Sequence, residues 1–189
     1  MEEIIRNFKM KREHGEMIYP FTTYSCVFSP AENEIVNKLF TYLASLITNG
    51  HPDFSGKISA SEAGAVILQT EERPSDLIEY AKKSNYRGRQ NGQHYCVQRY
   101  LLENDPNTIA IEVPVWDEKF SGHIDILRLL KIAGTIIIEI ADFKPKAGRE
   151  QKASTQLFRY KNSLAKRTGI PLCYFRCVYF DDLYSYFLT

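Results

Sequence analysis

The chain lacks the features that would mark it as a membrane or secreted protein. No apolar run approaches the length that crosses a bilayer, and the acidic start Met1-Glu2-Glu3 is unlike a signal peptide. No internal repeat, low-complexity tract or linker interrupts the 189 residues, which are enough for a substantial core. We therefore expect a single domain in a cytoplasmic protein that has no membrane partner.

Cysteine is scarce, and its spacing excludes the commonest sites that are built from cysteine. The four cysteines include no C-x-x-C pair for a zinc ribbon, and a reducing compartment disfavours disulfides. Cys173 and Cys177 lie in an apolar run that is typical of a strand, where cysteine packs as a small hydrophobe. Because an iron–sulfur cluster needs four converging thiolates, the sequence disfavours one.

The net charge is only +1, but the charges are unevenly distributed along the chain. Residues 31–80 carry eight acidic and three basic side chains, a net of −5, whereas residues 141–170 carry two acidic and eight basic ones, a net of +6. A local basic excess of this size favours a polyanionic partner. The alternative is an ordinary solvated helix face, and charge alone does not decide between the two.

Apolar periodicity predicts an α/β fold with one sheet and helices on its faces. Residues 1–86 form an N-terminal extended and helical portion, and residues 87–189 form the core. The core is expected to contain a helix over 87–103, a strand over 109–116, antiparallel strands over 120–130 and 135–144, a helix over 149–168, and strands over 172–179 and 183–188.

Three charged side chains come together at the ends of the two antiparallel strands. Asp142 and Lys144 are two residues apart and share a face, and Asp125 lies on the adjacent strand. Two carboxylates about 4 Å apart repel by roughly 4 kcal/mol at an effective dielectric constant near 20, so they need a cation. Mg²⁺ or Mn²⁺ would suit them and would leave positions for phosphate oxygens. The alternative is a buried Asp142–Lys144 salt bridge, with Asp125 capping a turn.

The remaining polar residues are sorted by position. Glu139 lies an odd number of residues before Asp142 and should face the other side of the sheet, and Glu112 either reaches the metal or pairs with a lysine. Gln156 and Tyr160 lie one helical turn apart on one face, where they either contact the substrate or simply pack between helix and sheet. Phosphate contacts are expected from basic residues near the site, namely Lys146, Arg149, Lys152, Arg159 and Lys161.

Taken in order, four motifs resemble the RecB-type branch of the PD-(D/E)xK nuclease superfamily, which includes the CRISPR-associated exonucleases. They are a helical histidine (His94), G-x-x-D (Gly122 to Asp125), D-x-K (Asp142 to Lys144) and Q-x-x-x-Y (Gln156 to Tyr160). His94 alone would be interpreted as a structural histidine. The resemblance implies that it is a metal ligand beside Asp125, Asp142 and the Phe143 carbonyl.

The resemblance also implies a restriction-endonuclease-like core, in which helices flank a central mixed sheet. It assigns Lys144 as the catalytic lysine and ties Gln156 and Tyr160 to engagement of DNA. The cysteine pattern departs from that of the CRISPR-associated members, since Cys96 falls inside the histidine helix and only Cys173 and Cys177 come late.

These features predict a Mg²⁺- or Mn²⁺-dependent deoxyribonuclease that hydrolyses phosphodiester bonds in repair, recombination or defence. Its catalytic residues are Asp125, Asp142 and Lys144, and its partner is DNA with single strands or duplex ends. The helical histidine His94 favours an exonuclease over a site-specific endonuclease. No helicase motor is present, so unwinding would need a repair or helicase partner, and a homo-oligomer is left open. The alternative is a catalytically silent DNA-binding subunit with a nuclease fold.

Overall fold

The computed structural model is a mixed α/β structure in which helices flank one central sheet. It describes residues 4–12, 15–23, 30–52, 54, 57–60, 68–89, 91–150 and 152–189, with the backbone alone for 4–12, 15–23, 30 and 47. Within these ranges the nine strands are β1 (Ile4–Arg12), β2 (Gly15–Thr23), β3 (Ile58–Ser59), β4 (Thr70–Glu72), β5 (Thr108–Trp116), β6 (Phe120–Ile132), β7 (Thr135–Phe143), β8 (Phe175–Phe180) and β9 (Ser185–Leu188). The four α-helices are α1 (Pro30–Asn49), α2 (Asp76–Lys83), α3 (Gln93–Asn104) and α4 (Ala153–Thr168).

The described part of the sheet is mixed because it combines antiparallel pairs with two parallel ones. Its strand order is β1-β2-β5-β6-β7-β8-β9-β4, and β3 adds a short parallel pairing to β6. Neighbours along that order are antiparallel except β7 and β8, which run parallel and are connected through α4. The parallel register pairs Asp142 with Tyr179, so the C-terminal ends of β7 and β8 lie side by side.

Local sequence explains where the helices and the central hairpin end. α1 begins at Pro30, whose fixed φ suits the first helical position, and stops at Gly50, which has a positive φ of 69°. α4 ends in the same way at Gly169, with a φ of 66°. Ala133 and Gly134 both have positive φ and form the two-residue turn that joins β6 to β7.

The two faces of the sheet carry separate cores. α1 and α4 cover one face, whose core is built around Leu39, Ile138, Ile140 and Leu157. α2 and α3 cover the other face, and their core includes Phe143. We call these the α4 face and the α3 face. The Ile-rich β7 is buried on both of them, as a central strand requires.

A buried ion network lies on the α3 face around the middle of β7. Arg128 is fully buried, and its guanidinium contacts Asp105 and Glu139 at 2.7 Å and Asp76 at 2.6 Å. Glu139 is also bound by Arg176 from β8. Glu139 is therefore committed to arginine on the side of the sheet away from Asp142, which confirms the prediction made from its position.

The predicted central mixed sheet with flanking helices is confirmed, and so are the antiparallel pairing of 120–130 with 135–144 and the strand at β5. The predicted start of the last helix at Arg149 is wrong. Arg149 lies in a 3-10 turn, and α4 starts at Ala153. Between them, the Glu150 carboxylate accepts a hydrogen bond from the Lys152 amide. No helix in the described part of the chain is both long and apolar enough to span a bilayer.

Candidate active site

Asp142 and Lys144 project together from the end of β7, as predicted from their spacing. The Lys144 Nζ atom lies 2.9 Å from Asp142 Oδ2, and the side chains are 18% and 1% exposed. The contact is an ion pair outside hydrogen-bonding geometry. Both carboxylate oxygens of Asp142 are buried and have no hydrogen-bond partner among the described residues. A buried carboxylate with so little compensation is costly unless a proton or a cation joins it.

The electrostatics at Asp142 favour its protonated form. Burial raises the pKa of Asp142 well above its ordinary value, and the negative charge of Asp125 raises it further. The Lys144 ammonium offsets only part of this rise. Burial alone would lower the pKa of Lys144, but the charges of Asp142 and Asp125 hold it above its ordinary value, so the lysine stays protonated.

Asp125 faces the same point from the neighbouring strand. Its Oδ2 atom lies 3.1 Å from His94 Nδ1 on α3 and accepts a hydrogen bond from the Phe143 amide at 3.2 Å. Burial would raise the pKa of Asp125, but the His94 hydrogen bond, the contact with the Asp142 carboxyl and the charge of Lys144 hold it below its ordinary value. Of the two carboxyls, the surroundings therefore favour the charged form of Asp125 and the protonated form of Asp142.

The position of Asp125 depends on a reversal of β5 and β6. Ile111 pairs with Ile126 and both face the α3 side, whereas Val113 pairs with Ile124 and both face the α4 side. Both strands therefore exchange faces at the residues between, Glu112 and Asp125. The ladder between β6 and β7 also stops just short of Asp125, so its carboxylate binds the Phe143 amide in place of a strand carbonyl.

This reversal holds Glu112 in a strained backbone conformation. Its φ is 52°, in the left-handed region that a residue with a long side chain rarely adopts. Gln98, one turn after His94 on α3, donates a hydrogen bond of 2.5 Å to the Glu112 carboxylate. Strained backbone of this kind persists where the surrounding structure enforces it, often at functional sites. Sequence reasoning missed Gln98, although its spacing of four residues from His94 places both on one face of the helix.

Gln156 and Tyr160 form a pair beneath the site. The Gln156 amide donates to the Tyr160 hydroxyl at 2.8 Å, and Tyr160 is only 3% exposed. The tyrosine ring fills the space that a side chain at position 122 would need, since a Cβ there would lie 2.4 Å from the Tyr160 hydroxyl. The G-x-x-D and Q-x-x-x-Y motifs therefore fit each other sterically. Tyr160 is thus packed between helix and sheet, and its ring is buried.

The predicted phosphate contacts differ in accessibility. Lys146, Arg149 and Lys152 are exposed on the segment between β7 and α4, beside Lys144. Lys161 is half-buried on α4. Arg159 is half-buried, and its guanidinium lies 5.6 Å above the Phe120 ring. The first three therefore offer positive charge to a polyanion at this edge of the sheet.

Whether these residues suit a divalent cation can be judged from the carboxylate pair. No three His, Cys, Asp or Glu side chains within the described ranges converge closely enough to hold a metal ion by themselves. However, Mg²⁺ usually takes one or two carboxylates and completes its shell with waters and substrate phosphates. Adjacent ligands about 2.1 Å from an octahedral cation lie about 3.0 Å apart, close to the 3.1 Å between His94 Nδ1 and Asp125 Oδ2. With the unsatisfied Asp142 carboxylate beside them, these groups fit such a cation.

The cysteines lie away from this arrangement. Cys96 is on the α3 face, where its thiol donates to the Ser84 carbonyl, whereas Cys177 is buried on the α4 face. Cys173 is exposed before β8, and Cys26 lies outside the described residues. Because Cys96 and Cys177 are on opposite faces of the sheet, they cannot ligate a common cluster.

Comparison with known proteins identifies no relative of this chain. No protein-family model matches the chain, and neither the curated proteins nor the solved structures contain a significant match. Function must therefore be argued from the site itself.

Proposed function

We propose that this protein is a deoxyribonuclease that depends on Mg²⁺ or Mn²⁺ and has a restriction-endonuclease-like core of the PD-(D/E)xK type. The observation that carries the proposal is the Asp125–Asp142 pair, in which Asp142 is buried with no hydrogen-bond partner among the described residues and has Lys144 within 2.9 Å. The exposed lysines and arginine that follow β7 support a phosphodiester as the substrate.

In this proposal Asp125, Asp142, the Phe143 carbonyl and His94 would hold the cation. When bound, it would supply Lewis-acid polarisation of a phosphodiester oxygen and lower the pKa of water. Asp142 can ligate only as a carboxylate, so a proton and a cation compete for it. Asp125 is kept in place by the Phe143 amide, so its carboxylate is oriented before any ligand arrives.

Lys144 acts as a cation and a hydrogen-bond donor. Because its pKa is raised, it is protonated at neutral pH and is not a base in this state. Its ammonium can stabilise the negative charge that develops on the phosphoryl oxygens during attack by water. Gln156 and Tyr160 position the strand that carries Asp125, since Tyr160 packs directly on Gly122.

One observation favours the second candidate, a DNA-binding subunit that does not cut. No described group of three side chains meets around a metal position, and Lys144 already compensates Asp142 in part. In that case the same surface would bind DNA, and Asp142 and Lys144 would serve only as a buried ion pair.

The experiment that separates these functions is incubation of labelled single-stranded and duplex DNA with Mn²⁺. We expect wild type to cut, and Asp142→Asn and Lys144→Ala each to lose at least about 100-fold in rate, because each removes a group that stabilises charge in the transition state. The matched control is Lys131→Ala, which removes a lysine from the opposite end of the same hairpin. Cutting by wild type no faster than by Asp142→Asn would refute the nuclease and favour the binding function.

A further inference from the structure

An exposed apolar tip lies beside the candidate site. The turn between β8 and β9 presents Leu183 with 58% and Tyr184 with 42% of its surface exposed. The C-terminal ends of β8 and β7 lie side by side, so this turn borders the segment that follows Lys144. Two large apolar side chains thus lie exposed next to each other at the edge of the candidate site.

The tip is held firmly by two aspartates. One carboxylate oxygen of Asp181 accepts hydrogen bonds from the Leu183 and Tyr184 amides at 2.7 and 2.8 Å. Its other oxygen accepts a hydrogen bond from the Ala147 amide at 2.9 Å. Asp182 accepts from the Tyr86 hydroxyl at 2.8 Å and from the Arg87 guanidinium at 2.6 Å. The turn is thus tied to the segments on both sides of it, and its apolar side chains are presented in a fixed orientation.

Three tyrosine rings connect the tip with the candidate site. Tyr179 is the strand partner of Asp142, and its ring stacks on that of Tyr186 at 5.1 Å and 21°. The Tyr186 ring is in turn 6.2 Å from Tyr184 at 33°. The rings therefore form a row that begins beside the buried carboxylate and ends at the exposed Tyr184.

Positive charge flanks the exposed end of this row. A Cβ on Gly148 would lie 3.4 Å from the Tyr186 hydroxyl and 3.8 Å from the Tyr184 ring, so the turn containing Gly148 rests against both tyrosines. Lys146 and Arg149 are exposed on that turn. The acidic groups nearby are engaged, since Asp181 and Asp182 bind the tip as described and Glu72 interacts with the Tyr186 hydroxyl.

We propose that the Leu183–Tyr184 tip is a base-stacking surface for an unpaired base of single-stranded DNA, whose backbone passes Lys146 and Arg149 towards the carboxylate pair. Rigid aromatic rings beside basic groups are how proteins bind single strands without reading sequence. Paired bases inside a duplex have no free face to offer the ring, so the tip selects single strands and frayed ends. The choice of DNA as the ligand rests on the proposed function.

The test measures binding in chelator, without cleavage, by anisotropy of labelled oligo(dT) and of a closed dumbbell duplex that has no ends. We expect Tyr184→Ala to weaken oligo(dT) binding about tenfold, because one stacked base is lost, and Tyr184→Phe to retain it. Binding of the dumbbell should be the same for all variants. The matched control is Leu172→Ala, an exposed apolar residue before the start of β8, at the opposite end of the sheet.

A second readout separates stacking from a general defect. The fluorescence of 2-aminopurine in the oligonucleotide should fall on binding to wild type and Tyr184→Phe, and fall less with Tyr184→Ala, since stacking on the ring quenches it. Equal oligo(dT) affinity for wild type and Tyr184→Ala, or an equal loss on the dumbbell, would overturn the inference. So would a Tyr184-dependent dimer in sedimentation, which would assign the tip to contacts between copies.

Failure here is distinguishable from failure of the nuclease proposal. If Asp142→Asn abolishes cutting while Tyr184→Ala binds oligo(dT) normally, the nuclease stands and the stacking surface falls. If Tyr184 controls oligo(dT) binding but wild type does not cut, the stacking surface stands on a DNA-binding subunit.

Discussion

Replacing Asp142 by Asn should stabilise the metal-free protein at alkaline pH. In the folded state Asp142 holds its proton above the ordinary carboxyl pKa because it is buried beside Asp125. A group whose pKa is raised on folding contributes stability below its unfolded pKa, and that contribution is lost as the pH rises through its folded pKa. Asn resembles the protonated acid and has no charge to bury, so it avoids this loss.

The size of the gain follows from the charges around Asp142. Two carboxylates about 4 Å apart repel by roughly 4 kcal/mol at an effective dielectric constant near 20, before burial is considered. The ammonium of Lys144, 2.9 Å from Asp142 Oδ2, offsets a large part of this repulsion and is lost as a partner in the variant. We expect a net gain of about 1–2 kcal/mol near pH 8, or about 2–8 °C in Tm for a domain of this size.

The assay is thermal unfolding of both proteins in chelator, followed by circular dichroism from about pH 5 to about pH 8. The matched control is Glu139→Gln, which also removes a buried negative charge from β7 but on the α3 face. Glu139 is fully buried between Arg128 and Arg176. Glu139→Gln should therefore destabilise by about 3 kcal/mol or more, because it leaves buried arginine without its partner.

Opposite signs for two similar substitutions on one strand would be hard to explain without the uncompensated charge at Asp142. The reasoning would be refuted if Asp142→Asn lowered the Tm at alkaline pH as Glu139→Gln does. It would be refuted equally if the difference between wild type and Asp142→Asn did not change with pH.

Three further outcomes are expected. Gly122→Ala should lower the free energy of unfolding in urea by about 1–3 kcal/mol, because its Cβ meets the buried ring of Tyr160. The loss should be much smaller in a Tyr160→Leu background, and equal losses in both backgrounds would contradict the steric fit. Lys144→Ala should make the metal-free Tm fall more steeply with rising pH, since the neighbouring aspartate loses its cation; an unchanged slope would mean that the ion pair is ineffective. Arg167→Ala should change the fluorescence emission of Trp116, the single tryptophan, and destabilise the folded protein by about 1 kcal/mol, because the guanidinium lies 3.5 Å above the centre of the indole ring. Unaltered emission would exclude that contact.

The part of the site that follows from local periodicity could be predicted from the sequence. The apolar run of β7 fixes it as a buried strand, and a period of two places Asp142 and Lys144 together and Glu139 on the other face. The turn of Ala133 and Gly134 fixes β6 beside β7, so Asp125 had to lie near Asp142.

The rest depends on contacts between distant segments. The reversal at Glu112 and Asp125 could not be predicted, because the residue with positive φ is a glutamate and not the glycine that usually indicates such a conformation. The tip at Leu183 is shaped by hydrogen bonds to positions 86, 87 and 147, which no local pattern contains. Tyr160 could equally have faced DNA, and only the close approach at Gly122 shows why it is buried.

Calorimetric titration of the protein with Mn²⁺ in buffers of different ionisation enthalpy tests the central claim most directly. We expect wild type to bind one ion and to release a proton on binding at any pH where Asp142 is protonated, because burial beside Asp125 raises the pKa of that carboxyl. Asp142→Asn should release none and bind far more weakly. Absence of binding by wild type, or binding by Asp142→Asn with unchanged affinity and proton release, would contradict a metal site at the carboxylate pair.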